Sequence, residues 1–447
     1  MRMNKLYKAT LLAIALALAW SWPAASGSSS SDRSRPDASG FSFSDSSRAD
    51  ARAEEIRAVV ARLTDPAMEG RGPGSEGLGR AAEVVASHFK RAGLRPAGDE
   101  GGWFQSFTPD RPLLRDAVLL PKGKQWGAIR LRNVVGILPG TGEGCVVIGA
   151  HYDHLGRDAD GQIFPGADDN ASGVGVLCAV ATELAREPAR RRSILFVAFS
   201  GEEEGYLGSR WYVEHPAQAS ASTIAMLNLD TVGRMDGRHL LVLSSSSAAE
   251  LPQMLRGVNL GFDFDLAIPE KSPLASDQIP FLEKGIPGLH FFTGPNADYH
   301  RRTDTAEKLN YGAAGKIASF VAETARFLAD RDRPLTFVPP AAEKPASASP
   351  SAQPGTGTQR RVSLGTIPDF AGEGRGVLLA GVVPGSAAEK AGMQKGDRIL
   401  AVDDMEIGNL EELSGVLKSH QPGDRVRVRF SRDGKEQTIE ATLTERK

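Results

Sequence analysis

Along the chain, short apolar runs alternate with stretches in which apolar residues recur three and four apart. Ile56, Val59, Val60 and Leu63, and later Ala82, Val85, Ala86, Phe89 and Leu94, show the helical spacing and predict two amphipathic helices around a Gly-rich turn at Gly70 to Gly77. Four later runs, Val146 to Ala150, Ile194 to Phe199, Ile224 to Leu229 and Leu289 to Phe292, carry Val, Ile, Leu or Phe on both parities. That is how a strand covered on both faces reads. Together the pattern predicts an α/β fold with a central mixed β-sheet sandwiched between helices. The pattern then changes to short strands and two helices: Gly376 to Val383, a helix near Ala387 to Ala391, Asp397 to Val402, a helix near Leu410 to Ser419, and a hairpin turn at Asp433-Gly434. This predicts a second, small α+β domain.

Length agrees with two folded units, since 447 residues exceed one ordinary core. Residues 1–26 read as a signal peptide: basic Arg2, Lys5 and Lys8, an apolar run from Ala9 to Trp22, then the small residues Ala24, Ala25 and Ser26. The expected location is therefore outside the cytoplasm, periplasmic or extracellular, with no membrane span after signal removal. Residues 27–50, rich in Ser, Gly, Asp and Arg, read as a flexible leader, and folding is expected from about Ala51. The first folded domain is expected over 51–335, a Pro/Ala/Ser linker over 336–359, and the small domain over 360–447. A formal charge of −2 with 24% charged residues gives no field that would call for nucleic acid. Two cysteines, Cys145 and Cys178, exclude a disulfide-built fold and sit in apolar runs, as buried free thiols do.

The chemistry lies at the ends of the apolar runs. His151 with Asp153, Glu202 with Glu203, Asp230 and, further on, His300 each follow such a run, and Asp168 lies in a turn-rich segment before an apolar helix. Beyond the carboxyl ends of the strands of an open α/β sheet, such scattered residues converge. Imidazole and carboxylate without thiolate suit zinc, and also tolerate cobalt or manganese. Asp168, Glu203 and Asp230 would return three negative charges against the four positive charges of two zinc ions, and a bridging hydroxide would make the cluster neutral. Such a site is hydrolytic in character. Glu202, not needed as a ligand, is free to serve as general base and acid.

The order His151-Tyr152-Asp153-His154, Gly166-Ala167-Asp168-Asp169-Asn170-Ala171-Ser172-Gly173, Phe199 to Ser209 with Gly201-Glu202-Glu203-Glu204-Gly205, Asn228-Leu229-Asp230 and Tyr299-His300 resembles the family of secreted di-zinc leucyl aminopeptidases. The resemblance covers roughly Ala51 to Ala329. It implies two zinc ions per chain, one on His151 and Asp230, the other on Glu203 and His300, with Asp168 bridging them. It implies that Asp153 orients His151, so that Asp153 joins Glu202 in the catalytic set, and that the Asp168-Asp169 bond is cis. His154 is expected to hydrogen-bond nearby rather than to line the site, and Asp304 either to steady the His300 loop or to lie in a solvated turn. The substrates it implies are peptides with a free N-terminus.

A second resemblance rests on Ser363-Leu364-Gly365-Thr366, Val383-Pro384-Gly385-Ser386-Ala387-Ala388 and Gly396-Asp397-Arg398-Ile399-Leu400, which are similar to the PDZ domains of exported HtrA-type proteases. It implies that C-terminal peptide tails add as a strand beside Leu364, Gly365, Thr366 and Ile367. Three other readings share these motifs. A carboxypeptidase of the same fold would draw on Arg234, Arg301 or Arg302 for the substrate carboxylate, a glutaminyl-peptide cyclase would use one zinc, and an inactive peptidase-like binding protein would act through its PDZ domain.

Overall fold

The computed structural model describes residues 43–109, 120–121, 123–187, 190–217, 223–270, 276–339, 362–369 and 374–445. The expected signal peptide, and the leader as far as residue 42, lie outside the described residues. Two helices open the chain, α1 (Phe43–Leu63) and α2 (Glu76–Ala92). Ser75 starts α2 by accepting from the Leu78 amide, and Gly93, at φ 90°, ends it in the left-handed conformation that Gly adopts without strain. The first helix begins at Phe43, ahead of the Ala51 expected from the sequence. Residues 43–51 contain neither Gly nor Pro, which leaves the backbone free to continue the helix, and Arg48, Ala49 and Asp50 are exposed.

One sheet is built from β1 (Arg95–Pro96), β2 (Phe104–Phe107), β3 (Leu131–Leu138), β4 (Cys145–His151), β5 (Ser193–Phe199), β6 (Thr223–Leu229), β7 (His239–Leu243), β8 (Asp265–Ala267) and β9 (Gly288–Phe292). Its order is β1-β3-β5-β4-β6-β9-β7-β8, with β2 paired to β3. The central strands β5, β4, β6 and β9 run parallel, while β3 and β7 pair antiparallel to β5 and β9, so the sheet is mixed. Every residue of β4 and β5 is buried, which accounts for their unbroken apolar character. Alternate residues go to opposite faces. Val146, Ile148 and Phe196 join a core with α1, α2, α3 (Gly173–Ala185) and α7 (Tyr311–Asp330). Val147, Leu195 and Val197 join a second core with Tyr212 of α4 (Leu207–Glu214) and Phe281 of α6 (Ile279–Glu283). A further helix, α5 (Leu251–Asn259), completes this region.

Past α7 the chain does not become linker at once. Phe337 bridges Ala248, the Val338 amide donates to Ser247 O at 2.9 Å, and the Thr336 amide donates to the Glu250 carboxylate at 2.9 Å. The first folded domain therefore reaches Val338 rather than 335, because these backbone groups find partners on it; residues 340–361 lie outside the described residues. The later unit holds β10 (Val362–Ser363) through β17 (Thr444–Glu445), with α8 (Ala387–Lys390) and α9 (Leu410–Lys418), around its own core of Leu364, Leu379, Ile399, Leu413, Val428 and Phe430.

Two predictions follow from packing. Phe320 is fully buried against Phe262, Phe264 and Phe291, so Phe320→Ala is expected to cost about 3–5 kcal/mol in urea unfolding. Between α1, α2 and α3, the Glu55 carboxylate lies 2.9 Å from His88 Nε2 and accepts from Thr182 Oγ1 at 2.5 Å. Burial alone would raise this carboxyl, but His88 and Thr182 hold it below the ordinary 4.5. Its contribution is thus present above pH 4.5 and is lost as pH falls through the lower folded-state value. Glu55→Gln is expected to be about 1 kcal/mol less stable at neutral pH. Thermal unfolding at a series of pH values should show that gap closing on acidification.

Candidate active site

The parallel strands β4, β5, β6 and β9 end at one edge, and the loops that leave them carry the polar groups. His151 is the last residue of β4, Glu202 and Glu203 follow β5, Asp230 follows β6, and His300 lies on the loop after β9. These groups converge. His151 Nε2 is 3.4 Å from Asp230 Oδ1 and 3.4 Å from Asp169 Oδ1. His300 Nε2 is 3.0 Å from Asp169 Oδ2 and 3.2 Å from Glu203 Oε2. His154 Nδ1 lies 2.8 Å from Glu203 Oε1. Two groups of three donors result, His151, Asp169 and Asp230, and His154, Asp169 and Glu203, which share Asp169.

Asp169 therefore occupies the central position expected of Asp168. The Asp168 carboxylate turns the other way, accepting from the Gly233 amide at 2.8 Å, Asn296 Nδ2 at 2.9 Å and Ser172 Oγ at 3.3 Å. The cis bond is Asp169–Asn170 and not Asp168–Asp169. Neighbouring side chains on this segment point to different sides, and the backbone conformation, which the sequence does not display, decides which of the two faces the histidines. Asp304 corrects a second expectation. Its carboxylate accepts from the amides of Asp168 and Asp169, at 2.9 and 3.1 Å, so it holds the Asp169 loop rather than the His300 loop. Asp153 reaches the Glu202 loop as well as His151. Its carboxylate is 3.9 Å from His151 Nδ1 but accepts from the amides of Glu202 at 3.2 Å and Glu203 at 3.4 Å, and the nearer contact to His151 comes from the Asp153 carbonyl at 3.3 Å. Asp153 is thus a positioning residue for the loop of Glu202.

Several buried atoms have no hydrogen-bond partner among the described residues: His151 Nε2, His154 Nε2, His300 Nε2, Asp169 Oδ2 and Asp230 Oδ1. Those of His300 and Asp169 sit at contact distance from each other but off the line a hydrogen bond needs. Lone pairs that converge on common points, from nitrogen and oxygen donors without thiolate, fit divalent cations. Electrostatics follow the same geometry. Burial disfavours ionisation of Asp169, yet His151, His300 and His154 around it hold its carboxyl well below the usual range. Burial likewise opposes Glu203, but His300 and His154 bring it down to about 2. Glu202 goes the opposite way: burial, with Glu203, Asp230 and Asp277 nearby, holds it well above the usual carboxylate range against the pull of His151. Glu202 Oε2 stands 3.9 Å from His151 Nε2 and keeps some exposure.

Two residues escape a reading by sequence. Arg71, fully buried, is drawn down by burial to about 10 despite the opposing carboxylates of Asp169, Asp153, Asp304 and Glu203. Asp277 is buried with Oδ1 2.5 Å from Ser209 Oγ, and burial lifts it to about 7. In the C-terminal unit, Leu364 is buried in the core, and the Gly365 amide already donates to Ser363 Oγ at 3.0 Å. Thr366 and Ile367 are half-buried on β11 (Thr366–Pro368), which pairs with β12 (Val377–Val382).

Comparison with known proteins agrees with this architecture. Residues 133–325 match peptidase family M28, and residues 360–443 match the PDZ domain. Aminopeptidase YwaD of Bacillus subtilis (strain 168) is 32% identical over 185 residues, which cover 37% of this chain and 37% of that protein. Among solved structures, BSAP, a zinc aminopeptidase from Bacillus subtilis, aligns with a TM-score of 0.51 at 18% identity, over 64% of this chain and 98% of that one. A glutaminyl cyclase of Porphyromonas gingivalis aligns with a TM-score of 0.50 at 20% identity, over 61% of this chain and 96% of that one. At these identities the two structures share the fold alone. The chain spans 37% to 55% of the length of the first curated relatives it matches. The matched segments, the mixed sheet and the site at its edge lead to one assignment: residues 133–325 form a domain of the peptidase family M28 type, and residues 360–443 a PDZ domain behind it.

Proposed function

We propose that this protein is an exported aminopeptidase that holds two zinc ions, one on His151 and Asp230, the other on Glu203 and His300, with Asp169 shared. The observation that carries the reading is the convergence of these five side chains at the edge of the sheet with Glu202 beside them. Zinc bound there would bring the pKa of water down to about 7 and polarise the scissile carbonyl. Glu202, partly exposed beside His151, takes a proton from the attacking water and returns it to the leaving amine. The amides of Glu202 and Glu203, fixed on Asp153, keep that carboxylate in place while the proton moves. His154 holds the outer oxygen of Glu203 and leaves its other oxygen toward His300.

An aminopeptidase polarity is supported by how the nearby arginines are placed. Of the three arginines that would suit a substrate carboxylate, Arg234 is paired with Asp298 at 3.0 Å, Arg302 is paired with Asp158, and Arg301 stands exposed on the surface. Support for export is the N-terminal segment with its basic start, apolar run and small residues. The PDZ domain is inferred to take C-terminal peptide tails along β11, supported by that strand's pairing on one side with β12.

Three measurements test the reading. Glu202→Gln is expected to bind zinc as wild type does while turnover falls by about 10²–10⁴; near-normal turnover would remove Glu202 from its role. Asp169→Asn is expected to lose zinc from both positions, whereas Asp168→Asn, which faces Gly233 and Asn296, should keep most of it; elemental analysis of dialysed protein separates the two. Zinc-loaded protein should shorten a free peptide stepwise from its amino end and leave the N-acetylated twin intact. Shortening of both from the carboxyl end would replace this reading with a carboxypeptidase.

A further inference from the structure

Between α1 and α2 the backbone passes through Glu69, Gly70 and Arg71 at φ 52°, 62° and 53°. This left-handed excursion sends the Arg71 side chain inward, where it is fully buried. Its guanidinium meets four carbonyls. Nε donates to Tyr152 O at 2.9 Å, Nη1 to Leu63 O at 2.7 Å and to Pro165 O at 2.8 Å, and Nη2 to Gly166 O at 2.7 Å. The adjoining backbone is stitched to the same region, since the His154 amide donates to Arg71 O at 3.2 Å and the Gly156 amide to Gly70 O at 3.1 Å.

Where those carbonyls lie gives the arrangement its meaning. Tyr152 stands between His151 and Asp153, and Pro165 and Gly166 run directly into Ala167, Asp168 and Asp169. Leu63 ends α1, outside the centre. One planar cation therefore ties the loop of His151 to the loop of Asp169 and fastens both to a helix. The fork geometry of arginine spans these carbonyls, whereas the point charge of a lysine ammonium on a single stem does not.

We propose that Arg71 is a positioning residue of the metal centre: its buried guanidinium holds the His151 loop against the Asp169 loop, so that their donor atoms are gathered before an ion arrives. The proposal rests on the reading of the site as a zinc centre. Its positive charge also offsets carboxylates that stand close together before an ion arrives, and this favours the same gathered arrangement.

The test compares metal-free wild type with Arg71→Lys, which keeps the buried charge and removes the fork. Zinc affinity is read by competition with a chromophoric chelator, and thermal unfolding is followed with and without zinc. At least about tenfold weaker zinc binding is expected, as for other residues that orient ligands, together with a smaller rise in Tm on adding zinc. A variant with a lower Tm but wild-type zinc affinity would overturn the proposal and leave Arg71 a stabilising residue only. Failure of the variant to fold even in zinc would overturn it in the same way. Failure of wild type itself to bind zinc would instead sink the reading of the centre on which the proposal rests.

Discussion

The structure turns on negative charge buried at the carboxyl edge of the sheet. Asp153, Asp169, Glu203 and Asp230 are each nine-tenths buried or more, and an uncompensated carboxylate in such a place is costly. Compensation comes from several directions. Asp169 lies between His151 and His300 with one oxygen toward each, Glu203 is held between His154 and His300, and Asp153 is satisfied by the amides of the Glu202 loop. The guanidinium of Arg71 adds a cation behind them. Without these partners the loops would have no reason to close over so many carboxylates.

Behind the donors lies a layer of buried polar side chains that fixes loops rather than touching the centre. Asn170 Oδ1 accepts from the Gly173 amide and its Nδ2 donates to Leu229 O, which joins the Asp169 segment to the end of β6, one residue before Asp230. Asn133 of β3 donates to Gly208 O and accepts from the Ser200 amide, fixing the loop that leads to Glu202. Asp304 binds the amides of Asp168 and Asp169 and so returns the chain after His300 to the same segment. Each of these residues satisfies backbone groups that burial would otherwise leave unpaired.

Much of this was legible in the sequence. Apolar runs on both parities marked the central strands within a residue or two, since burial on both faces demands apolar side chains at every position. His151, Glu203, Asp230 and His300 stood out because each follows such a run, and the parallel order of β5, β4, β6 and β9 brings strand ends to one edge. Edge strands such as β2 and β8 gave weaker signals, because they are short and partly exposed. The Phe43 start of α1 was missed because a polar stretch without a periodic apolar face reads alike as a helix and as a leader.

Composition and periodicity by themselves determined that the chain has two folded units, that the first is a helix-covered mixed sheet, and which kinds of donor gather at its edge. These follow from local rules, since burial sets the apolar pattern and metal chemistry sets the residue types. Only the tertiary structure decided that Asp169 faces the histidines and Asp168 the Gly233 amide, that Asp304 serves the Asp169 loop, and that Arg71 is buried among four carbonyls. Adjacent residues of one type carry the same local signal. The direction in which each side chain points depends on backbone angles fixed by contacts distant in sequence, and no single stretch of the chain records those contacts.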